Sequence, residues 1–151
     1  MTPAVQAAER AGIAFTLHEY KGVEPGEGDY GIGVARALGR PPAQLFKTLV
    51  ASVDGALAVF VLPADRQLDL RAAGKRAALA GKAEAERATG YVVGGISPLG
   101  QRKRLPTTVD ASALEWETIL VSAGRRGLQI ELAPSDLVSL TGARLGDLAR
   151  R

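Results

Sequence analysis

Residues 44–63 read QLFKTLVASVDGALAVFVLP. Two apolar runs flank Asp54-Gly55, a dipeptide suited to the two positive φ angles of a tight hairpin turn. The stretch therefore predicts a β-hairpin, and it contains one discordant residue. On the first strand Leu45, Lys47, Leu49 and Ala51 share one face, and Phe46, Thr48 and Val50 share the other. Both faces are largely apolar, so the strand is expected to be covered on both sides. Lys47 then has two options. On an edge strand its stem carries the ammonium out to water; in a cleft the ammonium attracts a phosphate or a developing oxyanion.

The flanking chain reads as short elements. Thr2 can cap a helix that Pro3 begins and Gly12 ends. AFTLHEY alternates as a strand, KGVEPGEGD is a loop, and VARAL is a short helix stopped by Gly39 and two prolines. Beyond the hairpin, Asp69 can cap a helix to about Arg76, and AEAERAT forms another, ended by Gly90. YVVGG, RLPTTVD, TILVS and LQIEL read as strands, with a turn at Gly124–Gly127 and a closing helix in PSDLVSL. Hairpin strands mixed with short helices predict an α+β fold: a single domain over residues 1–151, with a mixed, mostly antiparallel and partly barrel-like sheet surrounded by helices.

Composition restricts the chemistry. The 151 residues include no cysteine and one histidine, His18, which excludes thiolate nucleophiles, disulfides and any site that needs two imidazoles. No tight carboxylate cluster advertises a metal, so neither a metal nor a cofactor is expected. No apolar run is long enough for a membrane span, and MTPAVQAAER lacks the apolar core of a secretory signal. A cytoplasmic protein without membrane association is expected. The net charge of +3 tilts mildly toward polyanions. Basic residues gather at Arg71–Lys82, at Arg102, Lys103 and Arg104, and at Arg125-Arg126. With few aromatics among them, they suit a phosphate backbone better than base edges.

Two glycine-rich stretches invite a ligand. GEGDYG (26–31) matches a dinucleotide fingerprint, yet five residues separate Tyr20 from Gly26, and Glu27 and Asp29 would face a pyrophosphate. A lid or plain loop is the better reading. In GGISPLGQ (94–101), Gly94, Gly95 and Gly100 around Pro98 leave backbone uncovered, which suits either a turn or close approach by a ligand. Tyr20, Tyr30 and Asp136 are individually weak: an acid in the first turn of a helix, for one, has a purely structural use.

Taken together, F-x-x-H-x-Y near the start, FKTLV, QLDL, TGYVVGGISPLGQRKRLPTTVD and RRGLQIEL followed by SDL resemble the YbaK/EbsC family of Cys-tRNA(Pro) deacylases. That family is related to the editing insertion of prolyl-tRNA synthetases. The resemblance runs from about residue 2 to residue 149. It implies a free-standing editing domain that hydrolyses the ester between cysteine and tRNA(Pro). By position, Lys47 matches the family's essential lysine and Thr48 its neighbour; Tyr20 matches the tyrosine ending the first strand, and Tyr30 an aromatic position. Gly94, Gly95, Ile96, Ser97 and Pro98 match the substrate loop, Gly100 the glycine beyond it, and Asp136 an acid near the last helix. The implied catalytic set is thus Lys47, Tyr20, Asp136 and Gly100, with Arg102, Lys103 and Arg104 on the tRNA. Aminoacyl-tRNA is the expected partner, and prolyl-tRNA synthetase and a second copy of the chain are candidates. Clearance of alanine or serine, or a non-catalytic module that binds tRNA or a synthetase, are the alternatives.

Overall fold

The computed structural model describes residues 1–24 and 29–150. Helix α1 (Pro3–Ala11) is capped by the Thr2 side chain, which accepts from the Val5 N–H, and it ends where Gly12 enters the left-handed region at φ 69°. Strand β1 (Phe15–Glu19) follows, then α2 (Tyr30–Ala37). This second helix starts four residues before the expected VARAL segment. Of GEGDYG, residues Gly26, Glu27 and Gly28 lie outside the described residues.

The hairpin of β2 (Phe46–Val53) and β3 (Ala56–Pro63) is as anticipated, with Phe46 opposite Pro63 and Val53 opposite Ala56. Asp54 and Gly55 turn it with φ of 51° and 87°. Next come β4 (Gln67–Leu68), α3 (Leu70–Ala73), β5 (Ala77–Leu79), α4 (Lys82–Thr89), β6 (Thr107–Asp110), β7 (Ile119–Arg125), β8 (Leu128–Leu132), α5 (Pro134–Thr141), β9 (Arg144–Gly146) and β10 (Ala149–Arg150). The helix expected from Asp69 to Arg76 is a single turn: Gly74 breaks it, and residues 77–79 pair instead with Ala51–Val53. Tyr91–Gly95 is a turn, not the predicted strand; the Gly95 N–H donates to the Val92 carbonyl and Gly94 has φ 92°.

Two main sheets form, ordered β5-β2-β3-β6-β9 and β1-β8-β7, beside a β10-β4 pair. Pairing is antiparallel except where β6 runs parallel to β3 and β9 to β6. The fold is mixed α+β as expected, but the barrel-like expectation is not supported. Among the described residues one parallel backbone bridge, Leu45 to Leu120, links the main sheets, and strands β5, β9, β1 and β7 remain as ends. Phe46, Val50, Val59, Val61 and Val109 pack with Ala4, Val121, Ile130 and Leu132 in the larger core, while Phe60 and Leu62 meet Leu68 and Leu148 on the other face. Burying such aliphatic side chains stabilises by about 1.5–3 kcal/mol each. Among the described residues no helix is long and apolar enough to cross a membrane.

One polar hub secures the segment after α2. Glu131 on β8 accepts both guanidinium nitrogens of Arg40 at 3.0 Å, His18 Nε2 at 2.8 Å and the Thr118 hydroxyl at 2.5 Å. Hydrogen bonds from Arg40, with smaller help from Thr118 and His18, hold its carboxyl down to about 2 against the effect of burial. The folded value lies below the unfolded 4.5, so this contribution is complete above pH 4.5 and disappears as pH falls toward 2. Glu131→Gln should lose on the order of 2 kcal/mol in urea unfolding at pH 7. Its stability should also decline less than that of the wild type between pH 5 and pH 3; an equal decline would remove Glu131 from this role.

Candidate active site

A cavity of about 290 Å³ opens where α2, β2, α4 and the 93–96 turn converge. Tyr30, Gly31 and Val34 form one wall, residues 45–50 another, and Lys82, Ala85, Val93, Gly94 and Ile96 a third; Leu79, Ala80, Ser122 and Gln129 also line it. The α2 wall approaches closely because Gly31 has no side chain: a Cβ there would stand 2.9 Å from that of Ala64. The volume is at the small end for ligand sites and suits an aminoacyl group.

Local pairing explains why β2 is exposed to this cavity. The Leu45 carbonyl accepts from Ala64 on the β3 side, whereas the Val50 carbonyl accepts from Ala80 on the other. Strand alternation puts the Thr48 N–H and C=O on the same edge as Val50. Pairing with β5 covers only Ala51–Val53, and the bridge to Leu120 involves Leu45. Thr48 thus presents backbone groups on a stretch of free edge. On that side β2 is covered at its two ends and is an edge between them.

Lys47 is half-buried and lines this cavity as well as a larger one of about 780 Å³ bordered by Gln67, Asp69, Arg71 and Arg150. Among the described residues it forms no ion pair. Burial lowers its pKa from 10.5, and Asp29 and Asp65 oppose that shift from a distance. Among the described residues the lining includes no carboxylate and no imidazole. These residues can orient a substrate and stabilise negative charge, and none of them is a carboxylate base or an imidazole.

Tyr30 faces the cavity, and its hydroxyl lies 2.7 Å from that of Tyr20, which is buried behind it. Burial, reinforced by Tyr20, raises the Tyr30 phenol well above its ordinary value, so it stays neutral. Of the 94–98 loop, Gly94 and Ile96 reach the cavity. Gly95 packs instead on the β7–β8 turn, where a Cβ would come within 2.8 Å of the Arg125 Cα. Ser97 is fully buried, its hydroxyl accepting from the Leu99 N–H. Gly100, at φ 64°, lies against α1: a Cβ would meet the Pro3 carbonyl oxygen at 2.5 Å. It borders a separate depression together with Pro98, Lys103 and Arg104. Asp136 sits in the first turn of α5, and neither it nor Gly100 lines the cavity. Arg102, Lys103 and Arg104 are exposed.

Three supporting residues escape the sequence reading. Glu86 accepts from the Val93 N–H at 2.7 Å, and Arg126 donates through Nε and Nη2 to the Val93 carbonyl at 3.0 and 2.8 Å. The peptide groups that begin the 93–96 turn are thereby held from α4 and from the β7–β8 turn. Gln129 lies in the wall itself. Basic character was the only visible signal for Arg126, and nothing linked it to residue 93. Replacing exposed Arg126 by Ala should shift overall stability by less than about 1 kcal/mol. Amides 93–96 should nonetheless exchange with solvent at least several-fold faster. Unchanged exchange would remove Arg126 as the clamp.

Comparison with known proteins identifies the family and the fold. A family model described as the aminoacyl-tRNA editing domain matches residues 32–140. A protein of Enterococcus faecalis, EbsC, provisionally named a Cys-tRNA(Pro)/Cys-tRNA(Cys) deacylase, is 37% identical over 125 residues, covering 78% of this chain and 76% of that protein. A crystal structure provisionally described as a trans-editing enzyme for prolyl-tRNA synthetase superposes with a TM-score of 0.84 at 25% identity, over 99% of this chain and 96% of the other. The hypothetical protein APE2540 superposes with a TM-score of 0.86 at 25% identity, over 98% and 99% of the two chains. With Lys47 inside the matched region, the chain belongs to the aminoacyl-tRNA editing domain family.

Proposed function

We propose that the whole chain, residues 1–151, acts as one trans-editing hydrolase that cleaves the ester of Cys-tRNA(Pro). The observation that carries this reading is Lys47: a half-buried ammonium, without an ion pair among the described residues, in the wall of a small apolar cavity. An aminoacyl ester is already activated, so orientation and charge stabilisation can supply much of the catalysis. Attack on the ester carbonyl, by water or by the substrate's own thiol, creates an oxyanion. Lys47 and the Thr48 N–H face that charge together. As the C–O bond breaks, the ribose oxygen leaves and takes up a proton. Tyr30, backed by Tyr20, borders the aminoacyl group opposite the Gly94–Ile96 turn. Gly100 holds the far end of that loop against α1, and Asp136 acts from outside the cavity.

The relative's name includes both Cys-tRNA(Pro) and Cys-tRNA(Cys), which supports recognition of the cysteinyl group more than of the tRNA body. The exposed Arg102, Lys103 and Arg104 hold the tRNA backbone, and prolyl-tRNA synthetase is the partner that selects tRNA(Pro).

Cys-tRNA(Pro), Ala-tRNA(Pro) and Cys-tRNA(Cys) should be incubated with the wild type and with Lys47→Ala. Loss of the oxyanion's cationic partner should lower the deacylation rate about 10²–10³-fold. Thermal unfolding should be unchanged or slightly improved, because an unpaired and partly desolvated charge is removed. Full activity of Lys47→Ala would refute its role. Absence of cleavage by the wild type, with tRNA still bound, would identify a binding module instead.

Charge reversal at Arg102 and Lys103 should raise KM several-fold and flatten the salt dependence of binding, with kcat within about twofold. A matching fall in kcat would place these residues in the chemistry.

A further inference from the structure

Two residues that line the cavity each carry a buried oxygen that has no hydrogen-bond partner among the described residues. Gln129 is 4% exposed, and its Oε1 is one of them. The Thr48 Oγ1 is likewise buried without a partner. Both residues line the cavity, one from β8 and one from β2. Buried polar atoms in folded proteins are overwhelmingly paired, and leaving one unpaired is destabilising. Two such atoms on residues that line one small apolar cavity are an unusual concentration. The adjoining Ser122 hydroxyl, by contrast, accepts from the Gly124 N–H.

Donor counting narrows what these oxygens await. Gln129 Oε1 can only accept, and Thr48 Oγ1 has lone pairs to offer. A thiol brings one weak donor. A methyl group brings none. The α-amino group of an aminoacyl ester brings two or three strong donors to a cavity whose lining includes no carboxylate among the described residues. We propose that Gln129, together with Thr48, is the receptor for the substrate's α-amino group, so that this site selects esters with a free α-amine over those without one. The proposal rests on the aminoacyl-ester reading of the cavity and adds a binding residue and an orientation to it. With the amine held at Gln129 and the Thr48 hydroxyl, the ester is fixed by a second point, the Lys47 ammonium. Selection of this kind is steep in principle, because a substrate lacking the donor leaves the wall's acceptors buried and unpaired.

Gln129→Met retains the size of the side chain and deletes its acceptor; Thr48→Val does the same for the hydroxyl. The probes are 3′-cysteinylamino-3′-deoxyadenosine, an amide that resists cleavage, and its 3-mercaptopropionyl counterpart, which keeps the thiol and lacks the amine. Wild type should bind the amine-bearing probe at least tenfold more tightly by calorimetry, and Gln129→Met should bind the two within about twofold. The thermal midpoint of Gln129→Met should be equal to or above that of the wild type. In deacylation assays Gln129→Met should lose at least tenfold in kcat/KM on Cys-tRNA(Pro) and Ala-tRNA(Pro) alike.

Loss confined to the cysteinyl substrate would overturn the proposal in favour of a thiol receptor. Persistent preference of Gln129→Met for the amine, or a lowered midpoint with unchanged binding, would also overturn it. Should Gln129→Met fail to fold, the same probe comparison with Thr48→Val decides: a preference reduced at least threefold supports the proposal, and an unchanged one refutes it. Wild type that cleaves no ester yet prefers the amine-bearing probe would refute the hydrolase reading alone.

Discussion

The parallel bridge between Leu45 and Leu120 is the constraint on which the site depends. It links the backbones of two sheets whose side chains also share a core, and it is accompanied by the Gln44 carbonyl on the Leu120 N–H and the Gln44 amide on the Thr118 carbonyl. From there β2 continues without a neighbour on that edge until β5 meets it at Ala51. A sheet edge usually has to be defended against unwanted pairing. Here the free stretch is short, and α2, α4 and the 93–96 turn border the cavity it faces. The cavity, the accessible Thr48 backbone and the half-buried Lys47 all follow from that interruption.

Around this opening the fold distributes support over distant segments. Glu131 secures the chain after α2 through Arg40, and Glu86 and Arg126 hold Val93 from either side. Gly95 and Gly100 permit close approach of backbone to backbone at Arg125 and Pro3. The glycine-rich loop therefore divides its labour. Gly94 and Ile96 face the cavity, while Gly95, Ser97 and Gly100 fasten the loop to the body of the protein. A site that acts by orientation and charge needs rigid walls, since small misplacements weaken both effects.

The resemblance noted in the sequence and the structural relatives converge on one family, and the geometry adds a division among the carried-over residues. Lys47, Thr48, Tyr30, Gly94 and Ile96 line the cavity, with Tyr20 bonded directly behind Tyr30. Gly100 and Asp136 stand apart from it. A side chain at Gly100 would displace α1 or the loop, because the left-handed φ and the nearby Pro3 carbonyl leave no room for it.

Local chemistry determined much of this protein before any tertiary contact was known. Asp54-Gly55 dictated the hairpin, Thr2, Pro3 and Gly12 bounded α1, and the absence of cysteine removed whole classes of catalyst. These features depend on neighbouring residues or on composition, so they are legible in order along the chain. Strands of two or three residues, such as β4, β5, β9 and β10, carry no readable period and form only because a partner is present. Gln129 shows the same limit within the site. In LQIEL it alternates with Leu128 and Ile130, as a solvent-facing residue would. Only the packing of α2 and β2 over that face turns it into a buried amide, because burial is a property of what lies opposite a residue and not of the residue itself.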